Sequence, residues 1–188
     1  MHHMTDPLAR FDRAAAVADS VLSRIGPEQL ALPTPCPEWT VRQLINHVVG
    51  GTAVFAGMMT GEAVDREVDF LGDDPHGAFR AAVARLRALF AEPGALERIV
   101  PSPFGARPAT ALVEMRTNEM MVHSWDLARA TGQSTDLDPE LAETCVEAFR
   151  RLRASGRGAG MFADPQPVSD TAPAADRMAA LAGRAVAG

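Results

Sequence analysis

With 188 residues and 47% hydrophobic content, the chain can bury one good core. A net charge of −6 and a pI near 5.3 exclude the concentrated basic face that a nucleic-acid partner requires. No run approaches the roughly 18–20 uninterrupted apolar residues needed to cross a bilayer. Asp6, Arg10, Asp12, Arg13 and Asp19 leave no apolar region for a secretory leader, so the chain reads as soluble and cytoplasmic, with no membrane partner. Met1-His2-His3-Met4 reads as a tag remnant or alternative start, and one domain is expected over residues 5–188. The two cysteines, Cys36 and Cys145, read as thiols in that compartment.

Asp6-Pro7 opens the first helix, and Leu8, Phe11, Ala15, Ala18, Leu22 and Ile25 form its apolar stripe before Gly26-Pro27. Three prolines between Leu32 and Trp39 then forbid helix. Thr40 with Gln43 makes a capping box, so a second helix starts at Val41 and runs up to Gly61. Gly50-Gly51 weakens this helix without ending it. Residues 62–73 read as loop. Asp74-Pro75 opens the third helix, with Phe79, Val83, Leu86 and Phe90 inward and an arginine face toward solvent. Pro101, Pro103 and Gly105 mark a long connection, and residues 97–101 hint weakly at extended structure. The fourth helix is expected from about Pro108 to Ala130. Asp138-Pro139 opens a fifth with Leu141, Cys145, Phe149 and Leu152 inward, stopped by Gly156, Gly158 and Gly160. A short tail helix is expected near Ala174–Arg184. The fold class is therefore all-α: a four-helix bundle with additional C-terminal helices.

Glu119 and His123 lie four residues apart on the fourth helix, hence on one face, about 5–6 Å between Cβ atoms. Leu112, Met115 and Val122 nearby make that face apolar. A carboxylate turned inward costs several kcal/mol unless it is paired or coordinates a cation. His47 falls on the inward stripe of the second helix. One divalent ion would satisfy His47, Glu119 and His123 together, a set suited to zinc, nickel, iron or cobalt with open coordination positions. A metal-free helical protein instead requires Glu119 to be exposed or paired with an arginine. Asp126, three residues after His123, either orients a ligand from behind or is simply exposed.

The run Pro33-Thr34-Pro35-Cys36-Pro37-Glu38-Trp39-Thr40-Val41-Arg42, then Leu44 and His47, resembles the signature of the actinobacterial mycothiol-dependent maleylpyruvate isomerase-like proteins. Glu119 through Leu127 resembles the second signature of that group, and Phe162 to Arg184 is similar to the tail of an uncharacterised subfamily. The resemblance implies the DinB-like superfamily of metal-binding four-helix bundles. It implies zinc held by His47, Glu119 and His123. It further implies mycothiol as the thiol of a transferase or isomerase acting on a small electrophile. The stretch after the fourth helix is too short for the additional C-terminal domain of the family's isomerase, so maleylpyruvate isomerisation itself is not expected.

Other residues keep two readings. Cys36 precedes a helix N-terminus, where the dipole favours thiolate, and equally suits a tight Pro-Cys-Pro loop. Trp39 reads as a staple over the bundle end or as a binding platform, and Trp125 as a helix contact or dimer face. Arg42, Arg116 and Arg129 are candidates to receive an anion. The Met58-Met59 and Met120-Met121 pairs leave room for a homodimer face. The alternative to an enzyme is a non-catalytic, metal-stabilised bundle serving as a binding or regulatory module.

Overall fold

The computed structural model describes residues 6–103, 105–156 and 162–186; the readings of Met1–Met4 and of Gly158 and Gly160 lie outside them. Six helices are present among the described residues: α1 (Pro7–Leu22), α2 (Val41–Thr60), α3 (Pro75–Phe90), α4 (Ala109–Ala130), α5 (Pro139–Ala154) and α6 (Ala174–Leu181). Their starts follow from local chemistry. Asp6 Oδ1 accepts the Leu8 amide at 2.9 Å, and Asp74 Oδ1 accepts that of Gly77 at 2.9 Å. Thr40 and Gln43 exchange side-chain bonds with each other's backbone amides. Gly61 closes α2 in the left-handed region, φ 80°, which a residue with a Cβ rarely adopts. Helix α1 ends earlier than its apolar stripe suggested: Ser23 is its cap, and its hydroxyl bonds back to the Ser20 carbonyl at 2.9 Å.

In the bundle, α1 lies against α3 and α4, and α2 against α3 and α4; α5 and α6 pack together beside α4. The expected extended stretch is real but short, Ile99–Val100 (β1) pairing antiparallel with Arg107–Pro108 (β2). Pro108 thus ends the hairpin and caps α4, which begins one residue later than expected.

Helix α4 is the centre of the molecule. Met120 through Ala128 are all buried, because α1 and α2 cover one side and α5 and α6 the other. Three of the four paired methionines are core, Met59, Met120 and Met121, while Met58 is half-buried. Trp125 is also buried, and its indole N–H donates to Asp176 of α6 at 2.8 Å. No helix among the described residues is long and apolar enough to cross a membrane.

Two glycines of α2 let neighbours approach. A Cβ on Gly50 would sit 2.7 Å from the Phe70 ring, and one on Gly51 would sit 2.6 Å from an Arg116 nitrogen. Phe70 belongs to the loop after α2, which Asn46 ties down by accepting the Phe70 amide at 2.8 Å. The paired glycines are thus notches beside the site.

Candidate metal centre

The proline loop turns tightly because the Thr34 hydroxyl donates to the Trp39 carbonyl at 2.8 Å and accepts the Cys36 amide at 3.1 Å. The turn lays Trp39 over His47, with ring centroids 4.3 Å apart and planes at 26°. His47 reaches from α2 toward Glu119 of α4, Nε2 to Oε1, at 3.2 Å. His123 Nε2 lies 3.9 Å from the same oxygen, and one ligand atom from each of the three residues falls within 4.8 Å of the others. Among the described residues no fourth His, Cys, Asp or Glu joins this group.

Behind His123, its Nδ1 is 3.0 Å from Asp126 Oδ2. Burial lowers the His123 pKa, with Asp126 opposing, so the imidazole is neutral with its proton on Nδ1, donated to Asp126. Nε2 then presents a lone pair toward Glu119 Oε1. Two acceptors facing each other without a proton between them suit a cation there. The donor set of two imidazoles and one carboxylate fits a borderline ion such as Zn²⁺.

Glu119 is also paired with an arginine: its Oε2 accepts from Arg116 at 2.8 Å. Burial favours the protonated acid, but the Arg116 charge and the His47 hydrogen bond outweigh it and hold the Glu119 pKa well below the carboxylate range. The pair meets the condition set for a metal-free protein, yet it occupies one oxygen only and leaves Oε1 toward both histidines. Arg116 was a candidate anion receptor at the surface; it is wholly buried, held by Glu119 and by the Val48 carbonyl. Its spacing of three from Glu119 was a readable signal for this pairing.

Asp126 is buried rather than exposed, and accepts from Arg184 at 2.8 and 3.0 Å as well as from His123. Burial opposes its ionisation, but these donors outweigh it and keep its pKa below the ordinary value. Arg184 also approaches Cys36 Sγ at 3.1 Å. Burial first, then the Asp126 charge, push the Cys36 thiol up to about 12, against the thiolate that a helix dipole alone would favour. Cys36 should therefore alkylate at pH 8 roughly three orders of magnitude more slowly than free cysteine. Iodoacetamide labelling followed by peptide mass analysis checks this, and labelling at the free rate would contradict it.

His47, Glu119, His123, Trp39 and Arg184 line one cavity of about 930 Å³. Trp39 is thus a wall of this cavity rather than a staple at the bundle end. Arg42 pairs with Asp69 at 2.9 Å, Arg129 reaches the Val186 carbonyl at 3.5 Å, and His76 pairs with Asp19 at 2.7 Å, each away from the three converging residues. Cys145 is core, as its stripe indicated. No local sequence signal pointed to Arg184, which α6 delivers from the far end of the chain.

Comparison with known proteins adds the following. A family model described as the mycothiol maleylpyruvate isomerase N-terminal domain matches residues 11–128. Uncharacterized proteins of Mycobacterium tuberculosis, from strains CDC 1551 and H37Rv, are each 40% identical over 183 residues, 96% of this chain and 99% of theirs. The crystal structure of a mycothiol-dependent maleylpyruvate isomerase superposes with a TM-score of 0.64 at 20% identity, covering 80% of this chain and 71% of that one. A mutant of that isomerase matches equally, over 82% and 72%. At this identity the structural likeness speaks for the helical fold.

Proposed function

Because the chain belongs to the mycothiol maleylpyruvate isomerase N-terminal domain family, we propose that it binds one divalent metal, zinc first, through His47, Glu119 and His123. There it uses mycothiol in a cytoplasmic transfer or isomerisation on a small electrophile. The observation that carries the reading is the convergence of these three donors on a cavity, with the His123 lone pair and Glu119 Oε1 facing each other.

A metal held there would act as a Lewis acid that favours the thiolate form of a bound thiol at neutral pH. The chain's own residues prepare the place. Arg116 keeps Glu119 ionised and occupies its second oxygen, so that one oxygen remains for the metal. Asp126 fixes the His123 tautomer by taking the Nδ1 proton. Trp39 stacks on one face of the His47 ring and helps hold its orientation. The non-catalytic alternative would be favoured by a fourth protein ligand closing the site, and the described residues supply none.

The test is a titration of cobalt-substituted protein with mycothiol. A sulfur-to-cobalt charge-transfer band should appear, and should be missing when the thiol is replaced by its S-methyl derivative. Saturating thiol with no band would overturn the thiol half of the reading.

A further inference from the structure

The rest of the cavity speaks to the second molecule. Its wall carries Phe55 and Met58 of α2, Phe70 of the following loop, Met115 of α4, Phe149 of α5, and Phe162 beyond it. Phe149 and Phe162 meet edge to face at 5.1 Å, a fixed aromatic corner. At about 930 Å³ the volume stands near the upper end for small-molecule sites, enough for a thiol and a second compound together.

The charges lining this cavity are few. Among the described residues, Arg66 and Arg184 bring the guanidinium groups, and Glu67 and Glu119 the carboxylates. Arg184 is committed to Asp126 by two bonds, while Arg66 is exposed. Arg116, close behind, is committed to Glu119. The Arg116–Glu119 and Arg184–Asp126 pairs each join one charge of either sign. A thiolate would then claim half of the charge of a bound divalent ion. A diacid would enter with two charges against the one left on the ion, so its second carboxylate would have only the exposed Arg66 to meet and no buried counter-charge, at a cost of several kcal/mol.

We infer that the electrophile used beside the thiol is an uncharged, largely apolar or aromatic compound carrying a leaving group, seated against Phe55, Met58, Phe70, Met115, Phe149 and Phe162. This deepens the proposed function and rests on it. In the step, the sulfur lone pair forms an S–C bond while the bond from that carbon to the leaving group breaks. The leaving group departs with its electron pair, and the proton lost by the thiol goes to solvent. No oxidant or reductant is required.

The experiment compares two probes on zinc-loaded protein, N-phenyl-1-naphthylamine by fluorescence and maleate by calorimetry. It is repeated with Phe70→Ala and with Leu152→Asp, a half-buried α5 residue lining the same cavity. Melting temperature and metal content are followed in each. The neutral probe should bind at least about tenfold more tightly than maleate, and each variant should weaken it by about tenfold, the loss of one good apolar contact. Maleate binding more tightly than the neutral probe, or both folded variants binding it as the parent does, would overturn the inference. Neutral-probe binding that persists in protein giving no cobalt–thiol band would support this cavity reading while the proposed function fell. A cobalt–thiol band together with preference for maleate would remove this inference alone.

Discussion

Arg116→Met should destabilise the metal-free protein by about 3 kcal/mol at neutral pH, the lower end of the range for breaking a buried ion pair. The lower end applies because Glu119 keeps a side-chain exposure of 24%, while Arg116 has none. Methionine retains much of the side-chain volume, including the contact near the Phe55 ring, so packing loss is small. What remains is a carboxylate without its strongest counter-charge. Chemical denaturation with chelator present measures the loss, and saturating zinc should recover part of it by supplying positive charge at Oε1. The pH response should also weaken. In the parent the Glu119 pKa is depressed, so its stabilisation is present above its ordinary value of 4.5 and is lost as pH falls below it. In the variant the largest cause of that depression is gone, so less stability should be lost as pH falls through 4.5. An unchanged stability and an unchanged pH slope would mean that the pair contributes nothing.

Asp126→Asn should lower zinc affinity by about 10–100-fold, the usual effect of losing the carboxylate behind a ligating histidine. The asparagine matches the shape but offers one acceptor oxygen where Asp126 now receives His123 and Arg184 with both. Its amide can also turn an N–H toward His123 Nδ1, which stabilises the tautomer with the proton on Nε2, the atom that faces Glu119. Arg184, with a side-chain exposure of 10%, would lose its counter-charge as well. Competition with a chromophoric chelator measures the affinity. A variant as tight as the parent would show that the His123–Asp126 contact has no bearing on metal binding.

The helix starts were written in short local patterns, because capping depends on residues two or three apart: Asp6-Pro7, Thr40 with Gln43, Asp74-Pro75 and Asp138-Pro139 all cap as spelled. The pairing of Glu119 with His123 was legible for the same reason, being one helical turn. His47 needed its inward position and a family resemblance. What was hidden depends on contacts distant in sequence. The burial of α4 on every side comes from α5 and α6, which turned Met120, Met121 and Trp125 from candidate surface into core. The same docking brings Arg184 to Asp126 across 58 positions, and the proline loop sets the Cys36 thiol against the Asp126 charge across 90. Gly50 and Gly51 read as weak points of a helix, whereas their use lies in what the missing Cβ atoms admit, the Phe70 ring and the Arg116 guanidinium.

The most direct test of the metal centre is elemental analysis of protein purified without a histidine tag or nickel resin, beside His123→Ala. The account predicts about one equivalent of zinc or a similar divalent metal in the parent, and almost none in the variant. His123 supplies one of three ligands, and two remaining ligands do not hold such an ion tightly. The metal should return when the parent is stripped and given zinc, and should not return in the variant. A parent protein that takes up no metal, with the variant equally stable, would contradict the claim and leave Arg116 as the sole counter-charge of Glu119.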